Sequence, residues 1–396
     1  MKNKEQPPLS GIRVLDIGRE IAGPFCARLL ARLGADVIKI EAPGRGDPIR
    51  GRGPFQASAA KGESGPMHLY LNEGKRGITI DLASVSGREL FLKLVEKSHV
   101  VIENFEPRVM DKLNLAGEVL RERQASIIVT SISNFGNTGP YRDYRASELT
   151  MFSMGGHLYR SGQLGRPPIR MGGAPAEFLA ALSAAYGTML AIRSAEENGT
   201  GQNVDFSILE SQVTSHAQAM VEVSYYGTEV AAGNPRGETL RGVDTKDGMA
   251  MVSAQEQQMA RLAALIGAPE ELGRPNPLDP GSSKQALDEY LSRWAADRTK
   301  REVYEAGQGV HVPASFAANA ADLIESPQYQ HRGFLQEIDH PEAGTVTVPG
   351  LPFQWENAWA PTRPAPCLGE HNIEVYSSLL DISREELTQL SGAGVI

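Results

Sequence analysis

The first part of the chain alternates short apolar runs with amphipathic stretches. Residues 12–18 (Ile-Arg-Val-Leu-Asp-Ile-Gly) form an apolar run of strand length. A helical pattern follows over about 24–34, then Gly34-Ala-Asp and a second run, Val37-Ile-Lys-Ile-Glu41. That is the pattern of a βαβ unit ending in an acid. Further strands are predicted over 76–82, 99–105 and 126–132, with helices over 84–97 and about 107–122 between them. In the first of these helices Leu90, Phe91, Leu94 and Val95 point inward together. Strands and helices alternating at this spacing predict an α/β fold, a doubly wound parallel sheet of Rossmann type.

The rhythm changes after residue 140. A short helix over 147–154 ends at Gly155-Gly156, and a loop with Arg160, Arg166 and Arg170 leads to Met171-Gly-Gly-Ala-Pro175. About four turns of almost wholly apolar sequence run from there to Ile192. Phe178, Leu179, Leu182, Tyr186, Met189 and Leu190 recur near a 3.6 period with Ala and Gly between them, which predicts a helix buried nearly all round. Its one acid, Glu177, lies in the first turn. Unsatisfied N–H groups and the helix dipole favour a carboxylate there, and a core helix would hold a catalytic carboxylate rigidly. An acid two residues after an N-terminal Pro is equally an ordinary helix start. One more strand is read at Asn203–Ile208. Beyond about 226 the texture is that of a smaller second domain. It has a Gly233-Asn-Pro-Arg-Gly237 loop, an Asp-Gly hairpin turn within Thr245–Met249, and polar helices to about 325. Residues 345–355 return to strand-like sequence, Pro361–Pro366 is a Pro-rich connector, and a helix over 382–391 closes the chain.

Composition narrows the chemistry. The net charge of −9 argues against nucleic acid as a partner. Two cysteines, Cys26 and Cys367, suggest neither a disulfide framework nor a zinc site. None of the eight histidines pairs at the i, i+4 spacing of a helical metal site, so no metal is expected. The N-terminus lacks a signal-peptide core, and no run approaches the roughly 18 apolar residues of a membrane span. The expectation is a soluble, cytoplasmic protein with no membrane partner. The first turn, Gly18-Arg-Glu-Ile-Ala-Gly23, lacks the Gly-x-Gly-x-x-Gly fingerprint, which disfavours a nicotinamide cofactor. There is no P-loop and no Gly-x-Ser-x-Gly elbow. What remains is cationic equipment near strand ends. Arg45, Arg50 and Arg52 sit in a Gly/Pro loop that reads as too charged to be buried, and Lys75, Arg76 and Arg108 lie in later loops. Ligands of open α/β sheets bind beyond the carboxyl ends of the strands. A phosphate-bearing ligand fits this layout, and so does a set of solvated surface charges.

Several stretches together resemble a known family. They are Pro8-Leu-Ser-Gly-Ile-Arg-Val-Leu-Asp16, Ala22-Gly-Pro24, Leu33-Gly-Ala-Asp-Val-Ile-Lys-Ile-Glu-Ala-Pro43, Asn72-Glu-Gly-Lys-Arg-Gly-Ile-Thr-Ile-Asp-Leu82 and Val101-Ile-Glu-Asn-Phe105. Thr200-Gly-Gln-Asn-Val-Asp205, His331-Arg-Gly-Phe-Leu335 and Leu368-Gly-Glu-His371 extend the match. The chain resembles the class III CoA-transferases of the formyl-CoA and carnitine type, a superfamily that includes the α-methylacyl-CoA racemases. The resemblance implies a large Rossmann-like domain built from 1–225 and 331–396, with a small α+β domain at 226–330. It implies an interlocked-ring dimer with active sites between subunits. It places coenzyme A at Ile21, Ala22, Lys75, Arg76, Asn104, Phe105 and Arg145. In such transferases an Asp at the head of the buried helix attacks the acyl-CoA and passes through anhydride and aspartyl-CoA thioester intermediates before a carboxylic acid acceptor takes the CoA.

This chain departs from the pattern at the central position, where Glu177 stands for the Asp. The racemases' catalytic His matches Ser147 of the pair Ser147-Glu148, so a racemase would lack its base. The family's Gly-rich loop of the small domain is reduced here to Gly233–Gly237. One extra methylene moves a carboxylate by roughly 1 Å, which can cost on the order of 100-fold in rate. Three readings follow: a transferase rebuilt around Glu177, acting as a homodimer; an acyl-CoA lyase or isomerase with Glu177 as general base; or the non-nucleophilic subunit of a benzylsuccinate-type heterodimer whose paralogous partner carries the Asp. Succinyl-CoA is a candidate donor, and the three arginines before the helix hint at a dicarboxylic acid.

Overall fold

Runs of Val and Ile that are buried on both faces build a parallel sheet. In the computed structural model, which describes residues 6–55, 62–162, 166–227, 240–274, 280–355 and 363–396, the sheet has six strands in the order β3-β2-β1-β4-β5-β6. The strands are β1 (Arg13–Asp16), β2 (Asp36–Glu41), β3 (Arg76–Thr79), β4 (Val100–Glu103), β5 (Ile128–Ser133) and β6 (Asn203–Ser207). Every neighbouring pair is parallel, with Val14 beside Val100 and Asp16 beside Ile102 at the centre. The order reverses between β1 and β4, the place where such sheets open a crevice. The loop at Gly233–Gly237 and the first residues of the Pro361–Pro366 connector lie outside the described residues.

The sheet's alternation sorts its side chains into two cores. Val14, Val37, Val100 and Ile102 face α1 (Ala22–Arg32). Leu15, Ile38, Ile78 and Val101 face α2 (Val85–Val95) and its inward Leu90, Phe91, Leu94 and Val95. The helix expected over 107–122 is broken. Asn114 adopts a left-handed φ of 54° and separates the turn Val109–Lys112 from α3 (Gly117–Arg123).

Helix α4 (Glu148–Met154) precedes the long α5 (Pro175–Asn198), which is not buried all round. Its small residues face inward: Ala176, Ala180, Ala181, Ala184, Ala185 and Ala191 are buried. Small side chains let α5 lie close against α1 and the sheet. At Gly187 an added Cβ would sit 2.3 Å from Phe206, and Thr188 hydrogen-bonds Thr130 across 2.8 Å. The larger Leu182, Tyr186 and Leu190 point outward and are 55%, 63% and 53% exposed. The periodicity located the helix, but the tight inner face selects Ala and Gly over Leu. Among the described residues α5 is long and apolar enough to cross a membrane by length and composition, yet 44% of its most apolar window is buried. Two further helices follow β6: α6 (Ile208–Ser215) and α7 (Ala217–Tyr226).

The chain divides into two compact units, Met1–Ala232 with Phe334–Ile396, and Gly233–Gly333. In the second unit β7 (Leu240–Thr245) and β8 (Gly248–Ser253) form a hairpin around Lys246-Asp247. Helices α8 (Glu256–Ile266), α9 (Pro280–Ala296) and α10 (Lys300–Gly309) supply Leu262, Leu287, Leu291 and Val303 to its core, and β9 (Ala314–Phe316) pairs with β8.

The last segment of the first unit opens with the hairpin β10 (Leu335–His340) and β11 (Gly344–Pro349). Helix α11 (Asn372–Leu380) then seals the edge strand β3: the Tyr376 hydroxyl donates to the Thr79 carbonyl at 2.7 Å, and Asn372 bonds Thr79. Helix α12 (Arg384–Gly392) follows, and Val395 and Ile396 end buried in the α2 core.

Candidate active site

The turn between β1 and α1 is assembled from behind by buried charge. Asp16, at the end of β1, accepts the Gly18 N–H at 2.9 Å and the Lys75 ammonium at 2.7 Å. Lys39 donates to the Gly18 carbonyl and to Asp47. From the end of β4, Asn104 holds both sides of Arg19: its Oδ1 accepts the Arg19 N–H at 2.7 Å and its Nδ2 donates to the Arg19 carbonyl at 2.9 Å. A Cβ at Gly23 would meet the Asn104 side chain and Gly18, each at 2.9 Å, so the closure requires glycine. Glu20 is held at φ 61°, a strained value for a non-glycine residue. Its N–H donates to Asp47 at 3.0 Å.

Glu177 meets this turn from α5. Ala174, before the helix, provides no side-chain cap. The cap comes from another element: Glu148, in the first turn of α4, accepts the N–H of Ala176 at 2.8 Å and of Glu177 at 3.2 Å. Phe178 fixes the helix start by packing edge-on against Phe25 of α1, with ring centroids 4.7 Å apart. The Glu177 carboxylate faces the first turn of α1, where the Ala22 N–H acts on it. Burial raises its pKa to about 7, and the charges of Glu148 and Glu20 add to the rise. The Ala22 N–H and the Arg52 charge oppose it. Near neutral pH this side chain is therefore poised between acid and carboxylate.

The residues expected at coenzyme A separate into two groups. Ile21, Ala22, Asn104 and Phe105 converge on the turn, with Arg19 lying 5.0 Å over the Phe105 ring. Lys75 and Arg76 do not present their charges outward. Lys75 is fully buried and donates to Asp16, the Pro24 carbonyl at 2.8 Å and the Asn72 side chain at 2.9 Å. Burial lowers its pKa to about 8 against the pull of Asp16. Arg76 grips Asp36 through three N–H···O bonds of 3.0, 2.8 and 2.7 Å and reaches Glu374 at 3.0 Å. Lysine and arginine types suggested anion contacts, but the acids that neutralise them lie 59 and 40 residues away in sequence. Arg145 is exposed, as are Arg166 and Arg170, while Arg160 lies 4.0 Å from Glu222.

The loop after β2 is likewise not wholly solvated. Arg50 is buried and bonds Glu41 through its Nε at 2.8 Å and Nη2 at 2.7 Å. Burial favours the neutral form of Glu41, but the Arg50 bonds and the charges of Arg50, Lys39 and His68 outweigh it and hold the pKa at about 2. The acid at the end of β2 thus serves its own loop. Ser147 caps α4 by accepting the Thr150 N–H at 3.4 Å. A cleft of about 280 Å³ opens beside Phe105. It is lined by five carboxylates (Glu103, Glu106, Asp111, Glu118, Asp205) against Arg108 and Arg142, a poor surface for phosphates. Two residues at the site escaped the sequence reading, Glu20 and the capping role of Glu148. The sequence places Glu148 at the start of the short helix, but no local signal marks it as the cap of another helix.

Residues 9–372 match the family described as CoA-transferase family III. The chain is 32% identical over 404 residues to the succinyl-CoA–L-malate CoA-transferase alpha subunit of Chloroflexus aurantiacus, covering 99% of this chain and 94% of that one. It is 31% identical to the subunit BbsE of succinyl-CoA:(R)-benzylsuccinate CoA-transferase from Thauera aromatica, over 92% of this chain and 93% of that one. A CaiB/BaiF family protein from Brucella suis superposes with a TM-score of 0.85 at 28% identity, covering 95% of this chain and all of that one. With a match over most of its length and relatives at these identities, the chain belongs to CoA-transferase family III.

Proposed function

We propose that this protein transfers coenzyme A from succinyl-CoA to a dicarboxylic acid, with Glu177 as the nucleophile. The observation that carries the reading is the placement of Glu177 at a helix start fixed by Glu148 and Phe178 against α1, where burial raises its pKa to about 7. In the first step a Glu177 oxygen attacks the thioester carbonyl, the C–S bond breaks, and CoA leaves as thiolate from a mixed anhydride. The thiolate then attacks the Glu177 carbonyl and releases succinate, leaving a glutamyl-CoA thioester. The acceptor carboxylate attacks that thioester, and the returning thiolate completes the new acyl-CoA and frees Glu177. Protons are neither gained nor lost, so a carboxylate that is partly ionised at neutral pH suffices. Ile21, Ala22, Asn104 and Phe105 flank the CoA path in this reading, and Arg145 borders it. The dicarboxylic acceptor is supported by the two relatives, whose named acceptors, L-malate and (R)-benzylsuccinate, are both dicarboxylic acids.

A second reading rests on the same relatives, which are named as subunits. The outward Leu182, Tyr186 and Leu190 of α5, and separately Met220, Val221, Tyr225 and Tyr226 of α7, are exposed apolar residues that a second subunit would cover. That subunit is another copy of this chain or a paralogue carrying the Asp. An exchange assay with succinyl-CoA and a panel of acids, run on this chain alone, tests both readings. Activity abolished by Glu177→Ala supports the nucleophile. Inactivity that only a co-expressed paralogue restores, with Glu177→Ala harmless, contradicts it.

A further inference from the structure

The carboxylates around Glu177 leave one guanidinium with a task that coenzyme A transfer alone does not explain. Arg52 is 57% exposed, and its Nη2 lies 2.6 Å from Glu20 Oε2. Its two loop companions differ: Arg50 is buried and committed to Glu41 and Glu63, whereas Arg45 is solvent-exposed. Glu20 reaches Arg52 from a backbone at φ 61°. Asp47 fixes that strained turn against the Arg52 loop by accepting the N–H groups of Glu20 and Ile49, each at 3.0 Å. The strain is thus spent on placing a carboxylate against an otherwise accessible guanidinium, beside the candidate nucleophile.

We propose that Arg52 anchors the second, non-reacting carboxylate of a dicarboxylic substrate, and that Glu20 occupies this anchor in the free protein. The assignment rests on the CoA-transfer reading of the Glu177 site. A dicarboxylate arriving there meets the carboxylates Glu20 and Glu148 beside Glu177 and needs a fixed cation to be held. A guanidinium fork binds a carboxylate bidentately, which an ammonium cannot do. The Arg52–Glu20 pair is partly exposed, so its net worth is small and a substrate carboxylate exchanges for it readily. Arg52 acts electrostatically on Glu177 as well, which puts the anchor within the field of the reacting group. A monocarboxylic acid gains nothing from Arg52 and leaves Glu20 in place, so the pair also discriminates between substrate classes.

Calorimetric titration of succinate and of butanoate into the CoA-loaded protein tests the assignment directly. Succinate should bind at least about tenfold more tightly than butanoate. Arg52→Met should abolish that preference, and Arg52→Lys should restore part of it. Glu20→Gln should tighten succinate binding, since it removes the internal competitor. An undiminished preference in Arg52→Met, no preference in the unaltered protein, or weaker succinate binding in Glu20→Gln would overturn the proposal. A parallel exchange assay separates the two levels: loss of all CoA transfer defeats the proposed function, whereas the binding ratio judges Arg52 by itself.

Discussion

Glu148 accepts the backbone N–H of Glu177 at 3.2 Å and at the same time raises the pKa of the Glu177 side chain by charge repulsion. One carboxylate thus positions the other's backbone and tunes its acidity. Glu148→Gln keeps an acceptor oxygen for the helix start and removes the charge. The acid limb of the pH–rate profile should move to lower pH in this variant, with little change in thermal stability. Glu148→Ala also removes the cap and should cost about 1 kcal/mol. An acid limb that stays in place in Glu148→Gln would show that the two carboxylates are not coupled.

The raised pKa of Glu177 has a stability consequence. The folded chain holds this proton up to about pH 7, whereas an unfolded glutamate releases it near 4.5. The native state therefore binds more protons between these values, and stability falls as pH rises through that window. Glu177→Gln should be nearly neutral at pH 4.5 and should gain, by pH 8, on the order of 2 kcal/mol relative to the unaltered protein, after allowance for partial exposure. Melting temperatures across pH 4.5–8 measure this. A difference that is flat with pH would remove the poised carboxylate from the account.

Lys75 offers a test of structure against binding. Lys75→Met leaves Asp16 buried without its ammonium and should destabilise the fold by about 3–5 kcal/mol. A lysine at a ligand phosphate would instead raise the KM for the acyl-CoA with little change in melting temperature. Unaltered stability with a raised KM would return Lys75 to the ligand.

The two faces of α5 should respond oppositely. Ala184 is fully buried, so Ala184→Leu overpacks the α5 interface and should cost about 1–3 kcal/mol. The double variant Leu182→Ser, Tyr186→Ser alters the exposed face and should keep the melting temperature of the isolated subunit. Sedimentation should show its assembly weakened. Normal assembly in that variant would mean that the apolar face is not the subunit contact.

The sheet was readable because its central strands are buried on both faces and their Val and Ile runs carry that burial in the local sequence. Pro175, the Gly pair and a lone acid in an apolar helix marked Glu177 only as a first-turn acid; its candidacy as nucleophile came from the resemblance of the surrounding stretches. The inner face of α5 was not, since periodicity weighs Leu above Ala while close packing against α1 and Phe206 does the reverse. The roles of Lys75, Arg76 and Arg50 were hidden for another reason. A cation's neutralising acid is set by strand order, and Asp16 and Asp36 come beside them only in the folded sheet. Helix α11 escaped because its seal on Thr79 joins residues 293 or more apart.

The central claim is that Glu177 carries the group being transferred. The chain alone should be incubated with succinyl-CoA, reduced with borohydride, and digested for mass analysis of the peptide that contains Ala176-Glu177-Phe178. Reduction of the glutamyl thioester to the alcohol at Glu177, absent in Glu177→Gln, is the predicted result. Continued CoA exchange with an unmodified Glu177 would contradict it.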